Sequence, residues 1–451
     1  MAKQLNLIEG NIFGALTRFS LPVIFALFLQ ALYGGIDLLI VGQFSSTPEV
    51  SGVATGSMLM HTITMVITAF AMGITILVGR RIGERNPEEA GRTIGVGIYL
   101  FFIIGLVISA VTLICSDWLS MLMHAPDEAF EQTSSYVAIC GGGSLFIVAY
   151  NVLGSIFRGL GDSKTPLLTV AIACVLNIVG DLIFVALFDM GAAGAAWATV
   201  LSQAVSVVIS YIIIRRMSLP FAFKREFIRY DAMIVGRIMR LGSPLALQEL
   251  LVGVSFLIIQ VIVNAIGVVE SAGVGVAEKI CVFIMLLPSG YGQSMAAFVA
   301  QNYGARRMDR ANRALFYGIL TSLCAGVITG YFAFFHGDVL SSWFVTDPQV
   351  IAAAHSYLKA YAIDCLFTAF LFCFMGYYNG CGSTLFVMIQ GVVGALGVRV
   401  PAVIIISSIP HVTLFEIGLA TPLSSIVQII LCLFMLLHLR RKMKGNINVN
   451  S

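Results

Sequence analysis

Twelve long apolar segments, separated by short polar connections, make up most of this sequence. A helix that crosses a lipid bilayer needs about 20 predominantly apolar residues, and each segment is long enough. Of the 451 residues, 59% are hydrophobic and 11% are charged, whereas a soluble chain carries about a quarter charged residues. The chain is therefore predicted to be an all-α integral membrane protein, surrounded by the lipid bilayer.

Apolar runs and polar breaks define the predicted transmembrane helices, which fall into two sets of six. The predicted spans are 13–44, 50–79, 93–115, 133–157, 165–188, 191–214, 241–266, 270–300, 313–335, 351–378, 384–409 and 411–438.

The distribution of basic residues predicts the orientation. If both termini lie in the cytoplasm, all but three of the 26 Lys and Arg residues fall in inner segments; the exceptions are Lys279, Lys359 and Arg399, inside spans. Such one-sidedness is typical of multi-pass membrane proteins. Short tails and compact loops favour a prokaryotic plasma (inner) membrane. The net charge of only +3 does not suggest a nucleic-acid partner.

The two halves of the sequence repeat short motifs at a spacing of 221 or 222 residues. The recurring pairs are 18–22 with 240–244, 81–85 with 302–306, and 159–161 with 380–382. One recurring spacing indicates a duplicated six-helix unit. Because six is even, both copies share one orientation, and their symmetry axis runs along the membrane normal.

The duplication also predicts the domain organisation. We expect an N-lobe over 1–216, a cytoplasmic linker over 217–231 and a C-lobe over 232–451. Two pseudo-symmetric six-helix bundles around a central cavity permit alternating access. Since one chain can enclose one cavity, the protein is expected to function as a monomer.

Two carboxylates are predicted to share one depth in the first half. Asp37 and Asp181 each lie seven residues from the outer end of their spans, or roughly 10 Å at 1.5 Å per residue. Asn177 lies one turn before Asp181 on the same helix face, and Thr199 on the next span could add a hydroxyl. A charge inside the membrane costs at least a few kcal/mol, so each one calls for a function or a partner.

The chemistry of this group leaves two coupling ions open. Asp37, Asn177 and Asp181 offer hard oxygen ligands, which would suit Na⁺. Alternatively, desolvation and like charge would favour a proton on one carboxyl group. Either ion could compete with an organic cation for the same charge, which is antiport in its simplest form. The alternative is a purely structural role, in which either aspartate only forms a hydrogen bond with a neighbouring helix.

The second half carries a set of charged residues whose positions do not indicate a single role. Glu278, Lys279, Asp364 and Arg399 fall towards the middle or outer part of their spans, where they could form a charge-neutralising network or contact a substrate. Glu249 lies about nine residues from the inner end of its span and could attract cations to an inner vestibule.

Pro22 in the first span has two interpretations. Proline is tolerated in membrane helices, where neighbouring helices satisfy the freed backbone groups. The sharper interpretation is a hinge that bends the first helix around the ion site.

Three stretches of the sequence resemble the multidrug and toxic compound extrusion (MATE) family of the MOP superfamily. They are Leu21-Pro22 with 37–42 on the first span, 158–166 before the fifth span, and 301–306 after the eighth. Asn177-x-x-x-Asp181 together with Asp37 is similar to the N-lobe ion site of the DinF-like branch of this family. One departure is 378–383, which has lost the arginine and the acid of the first copy; another is that Glu249 and Asp364 do not match the acids of NorM-type members well.

The resemblance implies secondary active multidrug efflux, in which amphipathic organic cations are exchanged for Na⁺ or H⁺ by alternating access. No nucleotide-binding motif is visible, so the energy must come from an ion gradient, and no cofactor beyond the coupling ion is expected. No enzymatic constellation such as H-E-x-x-H is present, so the chain is not expected to be an enzyme. An alternative function in the same superfamily is a flippase of a lipid-linked precursor, for which Arg399 and Lys279 would be the cationic contacts.

Overall fold

The computed structural model describes residues 6–216 and 223–448, which form helices joined by short connections, with no strand among them. The helices of the first half are α1 (Ile12–Phe44), α2 (Thr47–Gly83), α3 (Pro87–Ile114), α4 (Ser116–Leu122), α5 (Phe130–Gly142), α6 (Ser144–Gly159), α7 (Lys164–Asp181) and α8 (Gly191–Arg216). Those of the second half are α9 (Ala232–Asn264), α10 (Val268–Gly304), α11 (Met308–Phe335), α12 (Gly337–Ser342), α13 (Pro348–Gly380), α14 (Thr384–Val392), α15 (Val400–Ser407), α16 (Leu414–Gly418) and α17 (Ala420–Asn448).

By length and composition, the described residues contain 11 helical segments that could cross a membrane, or 12 when α5 and α6 are counted as one bent span. Two of these segments continue through a π-helical stretch: Leu182–Leu187 extends α7, and Val393–Arg399 joins α14 to α15. The predicted all-α multi-pass architecture is confirmed.

The predicted span over 133–157 is wrong as a single helix. The structure has two helices there, Asp127–Gly142 and Ser144–Gly159, which meet at an angle of 53°. The break falls at Gly143, the last of three successive glycines. Gly143 lies directly against the Val200 side chain, where a Cβ would overlap it. The bend therefore lets the chain pass close to α8.

The sequence duplication is repeated in the backbone conformation after helix ends. Three pairs of residues with positive φ recur at the same spacing of 221 or 222: Arg85 (55°) with Arg306 (58°), Gly161 (84°) with Gly382 (78°), and Asp189 (55°) with His411 (60°). Asn86 N–H donates to the Arg81 carbonyl at 3.0 Å, and Arg307 N–H donates to the Asn302 carbonyl at 2.8 Å. These equivalent bonds close the ends of α2 and α10 in the same way, as in a Schellman motif.

The chain divides into two compact units. Unit 1 contains the described residues of Met1–Ala246 together with Ala297–Arg310, and unit 2 contains Leu247–Ala296 with the described residues of Ala311–Ser451. The beginning of α9 and the end of α10 therefore belong to unit 1. Residues 217–222 of the predicted linker lie outside the described residues, and the predicted lobe boundaries remain a prediction.

Each unit has its own apolar core. In unit 1, one cluster packs α2, α3 and α6 around Phe101 and Ile156, and a second packs α1, α2, α5 and α8 around Tyr136 and Val200. In unit 2, the core joins α9, α10 and α13 around Tyr357. The second cluster of unit 1 includes α1 and α8, which carry the predicted ion-site residues Asp37 and Thr199.

Candidate ion-binding site

Three helices of unit 1 bring the four predicted residues together. Asp37 lies on α1, Asn177 and Asp181 lie on α7, and Thr199 lies on α8. Helix α7 packs against both α1 and α8. A Cβ on Gly180 would crowd Ala198, so a glycine allows α7 and α8 to approach closely at this level, as small residues do in membrane helix pairs.

The hydroxyl of Thr199 bridges two of the other residues. Asn177 Nδ2 donates to Thr199 Oγ1 at 3.4 Å, and the Thr199 hydroxyl donates to Asp37 Oδ2 at 3.4 Å. Both distances lie at the long end of hydrogen-bond geometry. The three side chains therefore share one site, although these bonds hold them only loosely.

The carboxyl groups of Asp37 and Asp181 lie within reach of a side-chain hydrogen bond to each other. An ionised carboxylate only accepts hydrogen bonds, so a bond between the two needs a proton on one of them. With both ionised, neither oxygen of the fully buried Asp181 has a donor. The geometry of this pair thus calls for either a shared proton or a cation.

Further buried oxygens at the site lack donors. Asp37 Oδ1 and Asn177 Oδ1 have no hydrogen-bond partner, like both carboxylate oxygens of Asp181. Burying an unpaired carboxylate is costly unless the charge is paired or neutralised. Carboxylate and amide oxygens are ligands that hard cations prefer, so these side chains fit Na⁺ as well as they fit a proton.

Sequence reasoning missed two polar neighbours of this site. The Tyr33 side chain lies one turn before Asp37 on α1 and close to both Asp37 and Gln203. Gln203 lies one turn after Thr199 on α8, is 6% exposed, and has an Oε1 without a hydrogen-bond partner. The four-residue spacings to Asp37 and Thr199 would have indicated that these side chains share their faces.

The helical geometry changes directly after Asp181. The chain passes from α7 into the π-helical stretch Leu182–Leu187, where the Phe188 N–H donates to the Ile183 carbonyl at 3.0 Å. π-helical turns are rare and are frequent at functional sites. The sequence offered no signal for this change.

The charges predicted in the second half lie in unit 2, and none of them forms an ion pair with another residue that the structure describes. Arg399 ends the π-helical stretch and is 7% exposed. Its Nη1 donates to Ser255 Oγ at 3.4 Å, and its guanidinium lies 4.6 Å from the Phe256 ring centroid. Among the described residues, no carboxylate oxygen lies within 4.0 Å of this guanidinium.

The acids of unit 2 differ in their surroundings. Asp364 is buried on α13, where its side chain interacts with Ser425 and, over a longer distance, with Arg399. Glu278 is half-buried, and its Oε1 has no hydrogen-bond partner. Glu249 is exposed on α9. The structure thus brings Asp364 and Arg399 into one region without a salt bridge.

Pro22 lies inside α1, which runs from Ile12 to Phe44 without an interruption. The predicted hinge at this residue remains a prediction.

The fold and the site define a class: a duplicated, all-helical, multi-pass membrane protein with a buried acid cluster in its first half. This chain belongs to the MatE family, whose model matches residues 22–183 and 244–405, one match in each half. The predicted resemblance to the MATE family is confirmed, while the assignment to the DinF-like branch remains a prediction.

Similar proteins extend over most of the chain. The probable multidrug resistance protein YpnP of Bacillus subtilis (strain 168) is 25% identical over 400 residues, covering 88% of this chain and 89% of that protein. The multidrug export protein MepA of Staphylococcus haemolyticus (strain JCSC1435) is 23% identical over 393 residues, covering 85% and 86%.

Solved structures of MATE and MOP transporters share the fold. An outward-facing multidrug resistance MATE family transporter of the MOP superfamily gives a TM-score of 0.91 at 22% identity, covering 98% of this chain and 99% of that one. A MOP superfamily transporter from Pyrococcus furiosus Vc1, described as having a binding pocket of reverse polarity, also gives 0.91 at 22% identity, covering 96% and 97%.

Proposed function

We propose that this protein is a secondary active exporter that exchanges amphipathic organic cations for Na⁺ or H⁺ by alternating access. The family membership and the names of its relatives, which include multidrug resistance and multidrug export proteins, support export of small molecules. The observation that carries the coupling is the buried Asp37–Asp181 pair, in which three of the four carboxylate oxygens lack a hydrogen-bond donor when both groups are ionised.

The chemistry of the pair explains how two cations can be exchanged. An organic cation is attracted only while at least one of the two carboxylates is ionised. A proton or Na⁺ that binds to Asp37 and Asp181 cancels this charge and supplies the partner that their buried oxygens lack. Each cation therefore displaces the other, and an inward ion gradient drives the organic cation out.

The supporting residues hold the pair in place. Asn177 and Thr199 link α7 and α8 to Asp37, so the oxygens that would contact the ion come from three helices. An ion that binds all of them favours one packing of α1 against α7 and α8. We propose that this coupling of ion binding to helix packing biases the exchange between inward-open and outward-open states.

We further propose where the protein resides and how it works. The protein resides in the plasma (inner) membrane of a prokaryote, with both termini in the cytoplasm. It works as a monomer on small-molecule organic cations, and it requires no cofactor other than the coupling ion.

A second function has one feature in its favour. Arg399 is a buried cation without a carboxylate at contact distance in the described part of unit 2, and it would suit an anionic cargo such as a lipid-linked precursor. A flippase of this kind would not depend on the charge of Asp37 and Asp181 for cargo binding.

Gradient-driven efflux from proteoliposomes tests the proposed function. Vesicles that contain the purified protein are loaded with ethidium, and a Na⁺ gradient and a pH gradient are imposed separately. We expect one of the two gradients to drive ethidium efflux, and Asp37→Asn and Asp181→Asn each to abolish it.

Asp189→Asn is the matched control for these variants. Asp189 is exposed outside the spans, and asparagine tolerates its φ of 55°, so efflux should match that of wild type. Full efflux by Asp181→Asn would contradict the mechanism. No efflux by wild type under either gradient would make the flippase the better proposal.

A further inference from the structure

The residues before α1 form a folded segment. We call Leu7–Gly10 the N-terminal strap. Asn6 Oδ1 accepts hydrogen bonds from the N–H groups of Ile8 and Glu9, both at 3.1 Å, which makes a tight turn. The Leu7 side chain is fully buried, although it precedes the first helix. The strap is therefore attached to the body of unit 1.

All four carbonyl groups of the strap accept hydrogen bonds from residues at the end of α10, in the connection after it and in the first turn of α11. Arg310 donates to Gly10 at 2.7 Å and to Leu7 and Glu9, both at 3.2 Å. Arg307 donates to Ile8 at 2.8 Å. The buried Asn302 adds a bond to the Leu7 carbonyl at 3.1 Å and also accepts from Arg310 Nε at 3.3 Å. The guanidinium of Arg310 is thus positioned to hold three strap carbonyls at once.

The strap secures a crossing of two helix ends. A Cβ on Gly83, at the end of α2, would overlap the Gln301 carbonyl, and a Cβ on Gly304, at the end of α10, would overlap the Arg80 carbonyl. Gln301 Nε2 also donates to the Gly159 carbonyl at the end of α6, at 3.0 Å. The backbones of α2 and α10 therefore touch through glycines, with α6 joined by a side chain.

The strap lies over one side of this crossing. A cavity of about 550 Å³ is bounded by Ile8 of the strap and by the residues that follow the ends of α2 and α10, including Arg85 and Arg306. Arg85 lies 3.9 Å from Glu9. The strap thus contacts the connections after both helices.

We propose that the N-terminal strap is a latch that holds the end of α10 on α2 and α6 and opens during each transport cycle. The inference rests on the proposed function, because only alternating access requires these helix ends to separate. α2 belongs to the first copy of the repeat and α10 to the second, so their crossing must open when the ion site becomes accessible from the arginine-rich side. Apart from the buried bond from Asn302 to the Leu7 carbonyl, the hydrogen bonds of the latch are exposed or partly exposed, and each is weak enough to be broken singly.

Hydrogen–deuterium exchange in lipid nanodiscs, without any ion gradient, tests the latch directly. We expect Arg310→Ala to raise the exchange rates of the strap and of residues 79–86 about tenfold, because three carbonyl contacts are lost together. Arg306→Ala is the matched control. It removes the same charge four residues earlier, from the connection between α10 and α11, but Arg306 forms no hydrogen bond with strap residues 7–10, so exchange should stay within about twofold of wild type.

A charge-conserving variant covers the case in which Arg310→Ala does not fold. Arg310→Lys keeps the charge but cannot hold several carbonyls in a fixed fork, so its exchange rates should fall between those of wild type and Arg310→Ala. If the variant that folds has the same hydrogen–deuterium exchange rates as wild type, the proposal that the strap is a latch would be overturned.

Efflux in the proteoliposome assay separates the latch from the proposed function. If the latch opens in each cycle, Arg310→Ala should change the gradient-driven efflux rate several-fold, while Arg306→Ala should not. Faster exchange with unchanged efflux would overturn its role in the cycle. If wild type shows no gradient-driven efflux, and Asp181→Asn and wild type have the same exchange pattern, the proposed function fails. In that case the exchange rates of Arg310→Ala, compared with those of wild type, still decide whether the strap holds the crossing of α2 and α10.

Discussion

Thr199 on α8 links the three helices of the candidate site, because its side chain is hydrogen-bonded to residues on α1 and α7. Its hydroxyl accepts from Asn177 and donates to Asp37, in both cases at 3.4 Å. A valine has nearly the same shape but lacks the hydroxyl. We expect Thr199→Val to weaken coupling-ion binding about fivefold, which corresponds to roughly 1 kcal/mol for a lost hydrogen bond.

Thr199→Ser is the control for that prediction, because it keeps the hydroxyl and loses only the methyl group. The measurement is the ion concentration that gives half-maximal ethidium efflux. If Thr199→Ser weakens binding as much as Thr199→Val, the methyl contact matters and the hydroxyl bridge does not.

At the residue scale, counting along the helices was sufficient to place the acid pair. Asp37 and Asp181 are equally far from the outer ends of their spans, and the structure brings their carboxyl groups together. The same reasoning did not reveal how Arg399 is satisfied, since its contacts with Ser255 and Phe256 come from α9, far away in the sequence. The depth of a side chain in the membrane follows from its position along one helix, whereas the residues that it contacts depend on how the helices pack.

Helix α1 carries an unexplained pair of glycines two and three residues before Asp37. A Cβ on Gly34 or Gly35 would meet no atom within 4 Å, so packing does not require glycine at either position. Glycine inside a helix costs about 0.5–1 kcal/mol relative to alanine. We expect Gly35→Ala to raise the free energy of unfolding by this amount, measured by thermal unfolding in detergent.

Gly180→Ala is the opposite case on α7, since its new methyl group would press against Ala198. We expect this variant to unfold at a lower temperature than wild type. If Gly35→Ala is destabilised as Gly180→Ala is, then α1 has a close neighbour at Gly35, contrary to the structure.

At the element scale, hydropathy predicted nearly every transmembrane span to within several residues of its observed ends. It missed the 53° bend between α5 and α6, because an apolar run looks the same whether it is straight or broken at Gly143. It also missed the π-helical stretches 182–187 and 393–399. A π-helical turn depends on the hydrogen-bond register, which hydropathy does not report.

The duplication of the whole molecule does not extend to the acid cluster. At a spacing of 221 or 222 residues, the second half has no acid at these positions: Ile258 or Ile259 replaces Asp37, Val398 or Arg399 replaces Asn177, and Ala402 or Val403 replaces Asp181. Ile259 belongs to the apolar core of unit 2. We therefore expect one coupling-ion site per chain, and Asp181→Asn should abolish all saturable binding of that ion to the purified protein.

Asp364→Asn tests the same prediction from the second half. Asp364 is a buried acid of unit 2, and its replacement should leave the number of ions bound per chain unchanged. Two ions per chain in wild type, with one lost in each variant, would show that both halves bind the coupling ion.

At the scale of the whole molecule, the sequence predicted the repeat but not where the parts pack. The motif pairs indicated two equal lobes, and the backbone repeats them at Arg85 and Arg306. Yet the end of α10 belongs to unit 1, because Gly83 and Gly304 allow α2 and α10 to touch. Periodicity identifies the copies of a repeat, but contacts between distant segments decide which compact unit each segment joins.

Competition between the coupling ion and the organic cation at the Asp37–Asp181 pair can be measured without transport. The dissociation constant of the purified protein for ethidium is determined at a series of Na⁺ concentrations at fixed pH, and at a series of pH values without Na⁺. We expect one of the two ions to raise the apparent Kd in proportion to its concentration in wild type, and we expect this dependence to disappear in Asp181→Asn but to persist in Asp189→Asn. Ethidium binding that is independent of both ions in wild type would contradict competition at this pair.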